Sequence, residues 1–228
     1  MAPEERFVPR FAAEPPQEEL PYGRWEERLR EEFLTGALGL DREEDDLGEP
    51  ERIVWYPDRS WHGHTYVPGT ARTSSGYELY GYVRFLPGGE DAEPSGFVAH
   101  VDFTSETAER NPDWKLDLCD EVFGAWRGSA GALASMTLVW GRPLISGGRI
   151  VTAELAELAV DQCDLIEDRF TLIAPDNYRH DLLEIKLFDG KGRELARESL
   201  YGDEEEEEEE EDAEPDAAVE DGEAATEE

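Results

Sequence analysis

The chain has 228 residues and a formal net charge of −36, with 57 acidic against 21 basic side chains. Such a polyanion excludes nucleic-acid binding, which needs clustered Lys and Arg against phosphate, and it is repelled by anionic membrane surfaces. Basic proteins and cations remain as charged partners, although strong net charge also serves simply to keep a protein in solution.

The first twenty residues, MAPEERFVPRFAAEPPQEEL, contain no apolar run of the kind a secretory signal needs. No segment approaches the length of a membrane-spanning helix. The expected compartment is therefore cytoplasmic. Two cysteines, Cys119 and Cys163, fit a reducing environment. Each has an acidic neighbour, Asp120 or Asp164, which opposes thiolate formation and argues against a nucleophilic role.

In chain order, residues 1–21 carry five prolines among acids and read as a flexible Pro/Glu-rich segment. Residues 22–39 read as an amphipathic helix, because Trp25, Leu29, Phe33, Leu34, Ala37 and Leu38 recur at intervals of three and four. Charges at supporting spacing, Glu26 with Arg30 and Arg28 with Glu32, lie on its other face. A helix this short needs burial of its stripe, so it is expected to pack on the main domain. The alternative is a helix that docks a partner from the end of the acidic linker of residues 40–51.

From residue 52 to residue 202 the pattern changes to short alternating runs broken by Gly, Pro and Asp, the pattern of an all-β domain, a sandwich or jelly roll. In YELYGYVRF, Tyr77, Leu79, Gly81, Val83 and Phe85 share one face, while Glu78, Tyr80, Tyr82 and Arg84 share the other. GFVAHVDF repeats the design, with Phe97, Ala99, Val101 and Phe103 inward, and pairs with it across the loop LPGGEDAEPS. Further strands are expected at WKLDL, SMTLVW, GRIVTAEL, LAVDQCDL, RFTLIA and LLEIKLF. The last turns through Asp189, Gly190, Lys191 and Gly192 into a hairpin. No βαβ alternation is present, which excludes the doubly wound α/β enzymes. Residues 203–228 hold 17 acids, no base and no aromatic ring. That segment is expected to be a disordered polyacidic tail.

Two features bear on function. The stretch IVWYPDRSWHGHTYV sets His62 and His64 one residue apart, on one face if the segment is a strand, and His100 could supply a third imidazole for zinc or another transition metal. Gly63 argues instead for a turn. Cupins, which also carry an HxH pair, follow it with a glutamate where this chain has Thr65, Tyr66, Val67 and Pro68. No nucleophile elbow, phosphate loop or dinucleotide fingerprint occurs. The second feature is aromatic crowding, since Trp55, Tyr56, Trp61, Tyr66, Tyr77, Tyr80 and Tyr82 fall within 28 residues. Tyr80 and Tyr82 lie on the polar side of their strand. An outward aromatic face using Trp55, Tyr56, Trp61, Tyr66, Tyr80 and Tyr82 is therefore the expected contact surface.

The resulting expectation is a non-enzymatic binding or assembly module with no cofactor, contacting a protein partner, and a basic one if charge governs the choice. The sequence sets no oligomeric state. The competing expectation is a metal-dependent enzyme built on His62, His64 and His100.

Overall fold

The computed structural model describes residues 25–40, 46–88, 93–127, 133–176 and 182–200. The Pro/Glu-rich segment 1–21, residues 41–45 of the linker and the polyacidic tail 203–228 lie outside the described residues. The chain is an all-β fold with one N-terminal helix, α1 (Glu26–Leu38). Its strands run β1 (Val54–Trp55), β2 (Arg59–Trp61), β3 (His64–Arg72), β4 (Glu78–Leu86), β5 (Ser95–Thr104) and β6 (Leu116–Arg127). They continue with β7 (Leu133–Pro143), β8 (Ile150–Leu155), β9 (Leu158–Asp164), β10 (Phe170–Asp176), β11 (Leu183–Phe188) and β12 (Glu194–Ser199).

All described pairings between these strands are antiparallel, and they form three sheets. The first has the order β1-β3-β4-β5, with β2 also on β3; the second runs β10-β7-β6 and the third β12-β11-β8-β9. Three apolar clusters stack these layers. α1 and the first sheet enclose Leu29, Phe33, Trp55, Val67, Leu79 and Val83. The other face of that sheet meets the second through Tyr56, Tyr66, Tyr82, Met136, Trp140 and Ile173. The second and third sheets share Val139, Phe170, Leu172, Val151, Ile185 and Leu187. The second sheet is thus covered on both faces, and every residue of β10 is buried.

The alternation expected for residues 77–85 and 97–103 is the one observed. β4 and β5 pair in the register Leu79↔Phe103, Gly81↔Val101 and Val83↔Ala99, so their odd-numbered residues line the helix side. Gly81 sits at φ 155°, and a Cβ there would lie 2.1 Å from the carbonyl oxygen of His100. Only glycine lets the two backbones approach so closely. The hairpin at residues 189–192 is present, with the Asp189 carboxylate accepting from the amides of Lys191 and Arg193.

On α1, Leu29, Phe33 and Ala37 are buried at four-residue spacing, whereas Leu38 is 76% exposed. The helix lies close on β5: a Cβ on Gly36 would come within 3.0 Å of Val101 Cγ2. Arg28 supports it by pairing with Glu32 and by standing 5.5 Å over the Phe97 ring. The chain after it is also tied down. Leu47 is buried, the Glu51 amide donates to the Arg72 carbonyl, and Pro50 bridges Thr73. The helix stripe is therefore part of the core.

Phe33→Ala is expected to remove ~3–5 kcal/mol of unfolding free energy, while Leu38→Ala stays within about 0.5 kcal/mol. Denaturant unfolding of both variants checks this. Equal, small effects would mean that the helix packs too loosely to belong to the core.

Candidate functional site

The expected outward aromatic face is corrected by burial. Trp55 is 4% exposed and lies under α1, edge-on to Phe33 at 5.8 Å. Tyr56, Tyr66 and Tyr82 are 2–3% exposed and form the layer between the first two sheets. Phe123 of β6 is wedged against Tyr66 at 4.6 Å and Trp61 at 5.2 Å, and Trp140 lies 6.5 Å from Tyr80. The physical reason is the apolar outer face of β7 and β10, which needs a cover that these rings provide. Two of the three tyrosine hydroxyls find partners inside. Tyr56 Oη is 3.5 Å from Thr70 Oγ1, and Arg84 bonds the Tyr66 hydroxyl. Of the six, only Trp61 and Tyr80 keep partly exposed rings.

The three histidines do not converge. His62 and Gly63 occupy the β2–β3 turn at φ 49° and 77°, so His62 leaves the strand face on which His64 stays. The His62 ring lies 3.9 Å from the Trp61 ring, tilted 33° to it. Between His64 and His100 stand two tyrosines, in a row of rings running His64, Tyr66, Tyr82, His100 with centroid spacings of 6.4, 5.7 and 5.0 Å. Burial against Tyr82, aided by Arg84, lowers the His100 pKa. Among the described residues no three His, Cys, Asp or Glu side chains are grouped to hold a metal. The proposed zinc or transition-metal ligand set His62, His64 and His100 is thereby overturned as a geometric arrangement.

What the fold does bring together is a row of carboxylates. β5 ends the first sheet and β6 ends the second, and across the gap between them Glu78, Tyr80 and Asp102 face Asp117, Asp120 and Glu121. A hollow of about 200 Å³ opens here over Tyr80, Glu78, Asp117 and Cys119, with Glu106 and Trp114 on its rim. Burial raises the carboxyl pKa of Glu78, and Asp117 adds to it; Arg72 and Arg142 oppose. Burial likewise raises Asp120, helped by Asp176, and Glu121, helped by Asp120 and Asp102. The Tyr80 hydroxyl is pushed up to about 12 by burial and then by Asp102, Cys119, Glu121 and Asp120. Two arginines partly compensate. Arg142 Nε donates to Asp117 at 2.9 Å, and Arg72 pairs with Glu109 while standing 3.9 Å from Glu78.

Both thiols are disfavoured as thiolates, chiefly because of burial. It raises Cys119 well above its ordinary value and Cys163 to about 12, with the acidic neighbours as smaller causes. The carboxylate row was missed at the sequence level because it joins residues of three strands. The only local signal was the polar face of Glu78, Tyr80, Tyr82 and Arg84.

Comparison with protein-family models, curated proteins and solved structures finds no match, so the site is read from its own chemistry.

Raised carboxyl pKa values mean that the folded chain holds these protons more tightly than the unfolded chain does. Their contribution to stability is full below the unfolded values and is lost as pH rises through the raised folded ones. The melting temperature is accordingly expected to rise as pH falls from neutrality toward the ordinary carboxylate range. Asp120→Asn with Glu121→Gln should flatten that rise; thermal melts in which the wild type and the double variant have equal slopes would contradict it.

Proposed function

We propose that the chain is a cytoplasmic, non-enzymatic binding or assembly module whose partner is a protein with a basic, extended segment. The observation that carries this reading is the carboxylate row at the β5–β6 gap, beside a ten-residue strand whose outer edge has no pairing partner among the described residues. An unpaired edge offers backbone donors and acceptors to an incoming strand. Val98, His100 and Asp102 project on the exposed face of β5 beside that edge. Lys or Arg side chains alternating along such a segment would meet Asp102, Asp120 and Glu121, while the apolar residues between them turn to the opposite face, on the side of Phe97, Ala99 and Val101.

Charge supports the same partner class. The net charge of −36 attracts a basic protein over distances of a Debye length and speeds its encounter. It repels nucleic acids and anionic membranes. No described helix is long and apolar enough to cross a membrane. Spread-out carboxylates, with no set of three gathered for a metal among the described residues, suit a polycation better than a single ion.

A fluorescent peptide of about eight alternating Lys and Val residues is expected to bind the full chain with Kd in the range of about 1–100 µM. Binding should weaken as salt is raised from about 50 to 300 mM. The triple variant Asp102→Asn, Asp120→Asn, Glu121→Gln should bind roughly tenfold more weakly, a loss of about 1.4 kcal/mol. A chain ending at Gly202 should bind as the full chain does. Fluorescence anisotropy decides: an unaffected triple variant, or binding lost with residues 203–228, would refute the groove as the contact surface.

A further inference from the structure

We propose that a second hollow, between the first turns of α1 and the start of β5, is a docking site for the chain's own residues 6–11, RFVPRF. It has a volume of about 660 Å³, which takes a few side chains rather than a folded partner. Trp25, Pro94 and Phe97 give it apolar walls, and Glu27, Glu31 and Glu93 its carboxylates. The two rings are half-buried and the three acids exposed. Phe97 is already held by Phe85, whose ring stacks on it at 4.9 Å, so this wall is preformed.

Charge in the hollow is unbalanced. Arg28 is the base among the described residues that line it, and its guanidinium is shared between Glu31 at 3.8 Å, Glu32 and the Phe97 ring at 5.5 Å. Glu27 and Glu93 have no ion-pair partner among the described residues. An occupant that completes the site therefore combines positive charge with apolar side chains.

The chain carries such a segment close by. Between Glu5 and Glu14 the sequence holds Arg6, Phe7, Val8, Pro9, Arg10 and Phe11 with no acid, in a molecule of net charge −36. Trp25 is the first described residue and lines the hollow, so the chain that precedes it starts from the wall of the site. A stretch as long as residues 12–24 reaches at most about 45 Å, which leaves Phe11 within range. Tethering of that length supplies an effective concentration of about 1 mM, and a contact of modest affinity then suffices. In the docked state Arg6 and Arg10 meet the glutamates through forked, charge-assisted hydrogen bonds. Phe7 and Phe11 cover Trp25 and Phe97. The acidic tail, residues 203–228 with 17 acids and no base, is repelled from the same place.

The test is NMR of the ¹⁵N-labelled full chain, following the Trp25 indole N–H and the Gly96 amide, with the Asp102 amide as a control further along β5. In the variant Arg6→Ser, Phe7→Ser, Arg10→Ser, Phe11→Ser, which alters no described residue, the first two resonances are expected to move and the third to stay. The peptide RFVPRF added to that variant should return them toward their wild-type positions with a Kd of about 0.1 mM. The wild-type chain, occupied by its own segment about ten to one at that affinity, should respond to the peptide about tenfold more weakly. Adding Glu27→Gln, Glu31→Gln and Glu93→Gln to the variant should weaken peptide binding about fivefold. Unmoved Trp25 and Gly96 resonances in the variant, equal peptide responses of variant and wild type, undiminished binding after the glutamate substitutions, or a response confined to Asp102 would overturn the proposal. So would wild-type shifts that change with protein concentration, since these place the segment on a second copy.

Discussion

The layer of rings between the first and second sheets is the constraint on which the rest of the molecule depends. The second sheet has only three strands, and both of its faces are apolar, so it needs a neighbour on each side. The third sheet covers one face with aliphatic side chains. Tyr56, Tyr66 and Tyr82, with Trp61 beside them, cover the other. That commitment removes the aromatic residues from any contact surface. It also fixes how the two outer edges meet, because wherever Tyr80 packs near Trp140, β6 must run alongside β4 and bring its carboxylates toward those of β4 and β5.

Polar contacts also tie these layers together. Arg59 of β2 reaches Asp161 of β9, and Arg169 donates to the Trp55 carbonyl, so the N-terminal sheet is pinned to the C-terminal strands at two points. A buried ion pair contributes little net stability, whereas removing one partner leaves an uncompensated charge that costs about 3–5 kcal/mol. Elsewhere acids are concentrated where the sheets end. Their mutual repulsion is tolerated because burial shifts them toward the protonated form.

Local periodicity made much of this fold legible. The alternation in residues 77–85 and 97–103 identified both faces of β4 and β5, the Asp189–Gly192 turn announced its hairpin, and the stripe from Leu29 to Ala37 announced the helix. Alternation separates two faces but does not say which one meets water. Glu78, Tyr80, Tyr82 and Arg84 read as a solvated face, yet a second sheet more than thirty residues downstream covers most of it. The histidine pair failed for a different reason. His62 adopts a positive φ in a two-residue turn, as Gly63 suggested, and so leaves the strand face that the spacing argument needs. The carboxylate row, the candidate site itself, depends on pairing between distant segments and left almost no trace in any single stretch.

The central claim, that the rings of residues 55–82 are interior and the open surface is the acidic gap beside β5, is tested most directly by hydroxyl-radical footprinting of the native chain read by mass spectrometry. The account predicts that Tyr56, Tyr66 and Tyr82 stay unmodified until the chain is unfolded, while the exposed Trp114 at the rim of the gap reacts readily. Modification of Tyr66 and Tyr82 in the native chain at rates close to that of Trp114 would contradict it.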